Sequence, residues 1–174
     1  MIRRFCGSIT CFKFCKMDAI NEGGKVLGVS ELKVFQREGI SALLQNRDVF
    51  VSQPTGSGKS IIFQSLGVCK QIVETGSFSH PVMYKVLVIQ PVISLMLDQM
   101  DKLSKVGLNV VRLVHLDEKK IAEKIDPDTI FAADIILASP EAALETYRKE
   151  MKAVAFSKNL ACVAVDESHM VVKW

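Results

Sequence analysis

The stretch Gln53-Pro54-Thr55-Gly56-Ser57-Gly58-Lys59-Ser60 constrains this chain more than any other. An apolar run, Val49-Phe50-Val51, precedes it and another, Ile61-Ile62-Phe63, follows, so it reads as a tight loop between a buried strand and the start of a helix. Such a loop cradles phosphate. Gly56 and Gly58 let backbone N–H groups turn inward with no Cβ in the way, and a helix N-terminus adds partial positive charge. Lys59 supplies a point charge for the β- and γ-phosphates, and the Ser60 hydroxyl can bind Mg2+. The template G-x-x-x-x-G-K-[ST] asks for glycine where Gln53 stands, but strand, loop and helix follow in the order the mechanism requires.

Around this loop the apolar pattern alternates strand and helix. A helix capped by Ser30 is expected to about Asn46, with Leu32, Phe35, Ile40, Leu43 and Leu44 on roughly one face. Gln36 lies on it, and by spacing alone reads as a solvated side chain. Helical periodicity returns from Lys59 to about Glu74, and Thr75 to Pro81 reads as loop. Lys85–Ile89 is an apolar strand stopped at Gln90-Pro91, and a helix follows from Ile93 to about Val106 with Leu95, Met96, Met100 and Leu103 on its buried face. Residues 109–114 read as a strand, 117–124 as a charged helical turn or two, and 134–138 as a further strand. Ser139-Pro140-Glu141 has the marks of a helix start: a capping hydroxyl, proline at the first position and an acid in the first turn, with the helix running to about Val154. The last strand, residues 161–165, leads straight into Asp166-Glu167-Ser168-His169. Strands that are apolar throughout rather than alternating are buried on both faces, so the expected fold is α/β, a mostly parallel sheet between helices.

Residues 1–29 are expected to be a disordered leader, with 21–24 and Gly28 as loop, and residues 30–174 to be one domain. The net charge of +3 is unevenly placed: residues 1–16 hold Arg3, Arg4, Lys13 and Lys16 without an acid, and removing those four charges leaves the remainder at −1. Bulk charge therefore gives no warrant for nucleic-acid binding, and any such site must be a local patch. The basic leader also has the composition of a mitochondrial targeting segment. No apolar run approaches the roughly 20 residues that span a bilayer, so no membrane partner is expected. Five cysteines, an odd number in a chain with a 49% apolar composition, point to reduced thiols and an intracellular setting. Cys6, Cys11 and Cys15 lack the paired spacing of a zinc site.

In a parallel sheet, ligands collect at the carboxyl ends of the strands, where both the phosphate loop and Asp166-Glu167 are expected. Two acids directly after a buried strand suit magnesium chemistry: Asp166 to hold the metal shell, Glu167 to orient or deprotonate an attacking water. The joint expectation is binding of ATP or GTP with Mg2+, with hydrolysis available.

Gln53 to Ser60, the run Gln90-Pro91-Val92-Ile93-Ser94-Leu95-Met96-Leu97-Asp98-Gln99, then Ser139-Pro140-Glu141 and Asp166-Glu167-Ser168-His169, in this order, resemble the amino-terminal, RecA-like motor domain of superfamily 2 helicases. The S-L-M-x-D-Q segment is similar to that of the RecQ family of DEAD/DEAH-like ATP-dependent DNA helicases. The resemblance covers about residue 30 to the end. It implies ATP and Mg2+ as cofactors, with Pro54, Thr55, Gly56, Ser57, Gly58, Lys59 and Ser60 around the phosphates. It further implies that Gln36 in Leu32-Lys33-Val34-Phe35-Gln36 bonds the adenine edge, and it sets Lys33 where the family usually has arginine. A compact ammonium lacks the planar fork that stacks on a base. Lys59, Asp166, Glu167 and His169 are the implied catalytic set, with His169 linking nucleotide state to DNA and Ser168 replacing the usual alanine. Pro91, Ser94, Ser139, Pro140 and Glu141 would touch one DNA strand, and Trp174 would stack on its bases or, alternatively, rest on the core.

The same resemblance implies a coupling strand between the phosphate-loop strand and the strand that ends in the two acids, and a second motor domain carrying an arginine finger worth about 10³–10⁵ in rate. Both lie past Trp174 in the family pattern, so an incomplete sheet and a chain nearly inactive in isolation are expected. Implied partners are single-stranded DNA, duplex junctions and the second motor domain, in a nuclear setting of repair or recombination, with cytoplasm and mitochondrion as alternatives. Two other classes remain open: a non-catalytic nucleotide- or nucleic-acid-binding module, and a small-molecule phosphotransferase, in which S-L-M-x-D-Q would have no work.

Overall fold

The computed structural model describes residues 15–116, 124–155 and 157–167. Four strands, β1 (Lys85–Ile89), β2 (Val110–Leu113), β3 (Ile135–Ala138) and β4 (Leu160–Val165), form one all-parallel sheet in the order β2-β3-β1-β4. Parallel neighbours need crossovers, and helices supply them: α5 (Ile93–Lys105), α6 (Pro127–Ala132) and α7 (Arg148–Ala155) connect successive strands. Before β1 come α1 (Lys16–Val26), α2 (Val34–Leu43), α3 (Ile61–Gln64) and α4 (Leu66–Thr75).

The side-chain alternation of the strands feeds two cores, one on each face. Val86 and Val88 of β1 meet Ile20, Ile40, Leu66 and Met96 from α1, α2, α4 and α5. Leu87, one residue out of phase, meets Ile130 of α6, Met151 and Val154 of α7, and Tyr147. The expected α/β architecture with helices on both faces is therefore present. No helix among the described residues is long and apolar enough to cross a membrane.

Several local expectations fail for identifiable reasons. Asn21 to Gly24, expected as loop, belongs to α1, whose Ala19, Ile20, Gly23 and Gly24 are buried, so the disordered leader does not hold over residues 16–26. The glycines misled because they serve packing: a Cβ on Gly23 would run into the Cys69 sulfur of α4. The helix expected from Ser30 starts at Val34, because Gln36, not Ser30, caps it, its Oε1 accepting from Lys33 N at 2.8 Å. The helix expected from Lys59 to Glu74 is two, α3 and α4, meeting at Ser65, whose hydroxyl bonds back to the Ile61 carbonyl at 2.8 Å. The long helix after Ser139 carries a π-helical segment at Ala142–Thr146. Helix α6 was not anticipated, although Asp126-Pro127 is a legible start: the Asp126 carboxylate accepts from Asp128 N and Thr129 N.

The largest correction concerns Val49-Phe50-Val51. It forms no strand, and Phe50 is 85% exposed. A strand needs a ladder neighbour, and among the described residues β4 pairs with β1 alone, which leaves a gap between the 49–51 segment and β4. Accordingly β4, expected to be buried on both faces, leaves Val163 and Val165 half-exposed. Residues 117–123 of the turn expected at 117–124, the first fourteen residues, and Ser168, His169 and Trp174 lie outside the described residues.

Candidate nucleotide site

The gap beside β4 is a cavity of about 540 Å³, within the range of ligand sites. One wall is the 49–53 segment with Thr55 and Lys59; the other is Cys162 through Glu167. Residues more than a hundred apart in sequence thus line one cavity, with the cation on one side and the acid pair on the other.

The loop is shaped for an anion. Gly56 and Gly58 have φ of 78° and 88°, and the turn is closed by Ser57 N donating to the Pro54 carbonyl at 3.2 Å. Lys59 Nζ donates to the carbonyls of Gln53 at 2.9 Å and Pro54 at 3.1 Å, so the ammonium is held over its own loop. The Ser57 hydroxyl is buried without a partner among the described residues and does not line the cavity. The Lys59 cation and the left-handed glycines fit a polyphosphate, and the acids across the cavity fit its magnesium.

Gln36 is not solvated. It is 5% exposed, and while its Oε1 caps α2 its Nε2 donates to the Gly58 carbonyl at 2.8 Å. A Cβ at position 58 would stand 2.7 Å from that nitrogen, so Gly58 is needed for close approach as well as for φ. Each end of the amide thus has one partner within the chain, and one N–H and one lone pair are left over for a base edge. Lys33 Nζ likewise braces the loop, donating to the Ser57 carbonyl at 2.9 Å. Neither side chain lines the cavity.

At the end of β4, Asp166 is 8% exposed. Its Oδ1 accepts from Glu167 N at 3.0 Å; its Oδ2 accepts from Gln90 Nε2 at 3.4 Å and from Gln99 Nε2 at 3.3 Å. Gln99 Oε1 in turn accepts from Gln64 Nε2 at 3.1 Å. Glu167 adopts φ of 52°, the left-handed region that a non-glycine residue occupies only when its surroundings demand it. The sequence reading gave these three glutamines no chemical role. Gln90 and Gln99 are the two ends of the run from Gln90 to Gln99, Gln99 being the last residue of S-L-M-x-D-Q, and that placement was the signal that could have found them. In the same cavity the Cys162 thiol is pushed up to about 12 by burial, which leaves it protonated and a poor nucleophile.

The expected nucleic-acid residues divide by exposure. Ser94 in the first turn of α5 and Glu141 are exposed, and Pro91 is half-buried. Ser139 and Pro140 are buried; the Ser139 hydroxyl accepts from Ala142 N at 3.1 Å, so it acts as the cap that its position suggested.

The sequence profile of the DEAD/DEAH box helicase family matches residues 33–174. The chain is 34% identical over 148 residues to the ATP-dependent DNA helicase Q-like SIM of Arabidopsis thaliana, covering 84% of this chain and 15% of that protein. It is 31% identical over 144 residues to the ATP-dependent helicase SGS1 of Saccharomyces cerevisiae, covering 80% of this chain and 9% of that one. With the ATP-dependent DNA helicase RecQ of Pasteurella multocida the identity is 28% over 163 residues, with 91% and 23% covered. The chain thus spans less than a quarter of the length of each of these relatives.

Proposed function

This chain belongs to the DEAD/DEAH box helicase family, in its RecQ branch, and from that premise we propose that it is the nucleotide-binding half of an ATP-dependent DNA helicase motor. The observation that carries the proposal is the shared cavity, with Lys59 on one wall and Asp166 and Glu167 on the other. Lys59 releases its two loop carbonyls to bind the β- and γ-phosphates, while backbone groups from Pro54 to Gly58 surround them. Ser60 and Asp166 would hold Mg2+, and Glu167 would orient the attacking water. When bound, magnesium neutralises charge that develops on the phosphates. Gln36 and Lys33 report base occupancy to the loop through the Gly58 and Ser57 carbonyls they hold.

DNA engages the surface that carries Ser94 and Glu141, through phosphate contacts that need no net positive charge. His169 links nucleotide state to the DNA-binding elements, and Trp174 stacks on the bases of one strand. Strand separation requires two bodies that open and close around the nucleotide, so unwinding is assigned to this domain acting with a second motor domain. A nuclear role in DNA repair or recombination accompanies the reading.

Calorimetric titration of the chain with Mg-ATP tests it. Lys59→Ala should weaken binding by about 10- to 100-fold, the worth of a charge-assisted hydrogen bond. Equal affinity of the two proteins, or no binding by either, would reject the nucleotide reading.

A further inference from the structure

We propose that Gln99, backed by Gln64, is a positioning residue that turns the Asp166 carboxylate so that Oδ1 faces the metal side of the cavity. The inference rests on the nucleotide reading above and deepens it.

The Asp166 carboxylate has about four lone-pair positions. Both side-chain amides that reach it converge on the same oxygen, Oδ2, one from the end of β1 and one from the buried face of α5. Among the described residues Oδ1 accepts the backbone N–H of Glu167 alone, its neighbour on the cavity wall. Two donors on one oxygen and one on the other fix the rotation of the carboxylate plane, and they leave acceptor capacity on Oδ1.

Of the two amides, Gln99 has the better-defined orientation. Its Oε1 is engaged by Gln64 Nε2, so the amide is held at both ends, whereas Gln90 Oε1 is buried without a partner among the described residues. Gln64 is the last residue of α3, four positions beyond Ser60, and so moves with the phosphate loop. The chain of amides therefore ties three separate parts, the helix after the phosphate loop, α5 and the acid at the end of β4, to a single oxygen. A hydrogen-bonded neighbour of a metal ligand typically contributes 10- to 100-fold to metal affinity.

The experiment compares ATP affinity of the full chain with saturating Mg2+ and with EDTA, and reads their ratio. Gln99→Leu keeps the volume and removes both hydrogen bonds; it should cut the magnesium advantage by about 10-fold or more while leaving magnesium-free affinity unchanged. Gln64→Leu, which only unfastens the far end of the amide, should lower the ratio less and in the same direction, and it serves where Gln99→Leu folds poorly. A ratio unchanged in both variants overturns the proposal. So does an equal loss with and without magnesium, which would mean that Gln99 merely supports the fold. Failure of the nucleotide reading has a separate signature: the wild type then binds no ATP in either buffer, or binds it regardless of Lys59→Ala, and the proposal falls with it.

Discussion

Strands β3 and β4 are both short, apolar and parallel, yet they live in different surroundings. Ile135, Ile136, Leu137 and Ala138 are at most 2% exposed, with β1 and β2 paired on either side and helices over both faces. In β4, Val163 and Val165 are half-exposed and the strand has a single neighbour. Apolar composition therefore does not decide burial here, and neither does the number of ladder neighbours, since β2, paired with β3 alone, is buried at Val110, Val111 and Leu113. What sets β4 apart is the space beside it, where the loop, the acid pair and the cavity lie. A binding site needs unfilled space beside fixed groups, and the open side of β4 supplies it.

The sharpest way to break this contrast is to shorten one side chain on each strand. Leu137→Ala removes atoms from a fully buried site and should cost about 2–5 kcal/mol, the usual range when a core leucine leaves a cavity. Val163→Ala, on the uncovered face of β4, should stay within about 0.5 kcal/mol. Urea denaturation of both variants gives the comparison directly. Similar costs would mean that β4 is as well packed as β3 and that the cavity is closed in solution.

Hydrogen exchange reads the backbone side of the same difference. A strand with one neighbour leaves about every second N–H and C=O outside a ladder, and among the described residues no N–H from residue 48 to 53 donates to a backbone carbonyl. Amides of residues 135–138 should exchange only through global opening; those of 48–53 should exchange freely, and 160–165 should show alternating protection. Slow exchange throughout 48–53 and 160–165 would refute the open edge.

Legibility in the sequence followed the same division. Strand β1 came out as read, and the other three to within a residue or two at their ends, because a buried parallel strand writes itself as a run of apolar residues whatever its neighbours are. The 49–51 segment carries the same run and is no strand, since pairing is a property of two segments and a single run cannot report the second. Gln36 fooled spacing for a related reason. Its helix position says outward, but the phosphate loop packs over it, a contact 22 residues distant that only the fold creates. The glycines of α1 read as loop formers by composition, yet they are there to admit close packing, a Cβ on Gly23 running into Cys69 of α4. Lys59, Asp166 and Glu167 were legible as types, and their convergence came from topology: the phosphate loop and β4 flank the same gap.

A smaller effect sharpens the comparison from the closed side. Over the core of α6 and α7, Lys124 Nζ bonds Glu150 Oε1 at 2.7 Å and lies 5.1 Å from the Tyr147 ring centre. Burial would raise the Glu150 carboxyl, but the hydrogen bond and charge of Lys124 outweigh it, and the group sits below its ordinary value of 4.5. A carboxylate depressed in the folded state stabilises the fold above its unfolded pKa, and that contribution is lost as pH falls through the folded value. Lys124→Met should therefore lower stability at pH 7 by about 1 kcal/mol or less, and its gap from wild type should close as the pH drops below 4.5. Urea midpoints of the two proteins across that range provide the check. A gap that persists unchanged in acid would assign Lys124's part to its alkyl stem packing on Tyr147 and leave the closed face without an acid-sensitive tie.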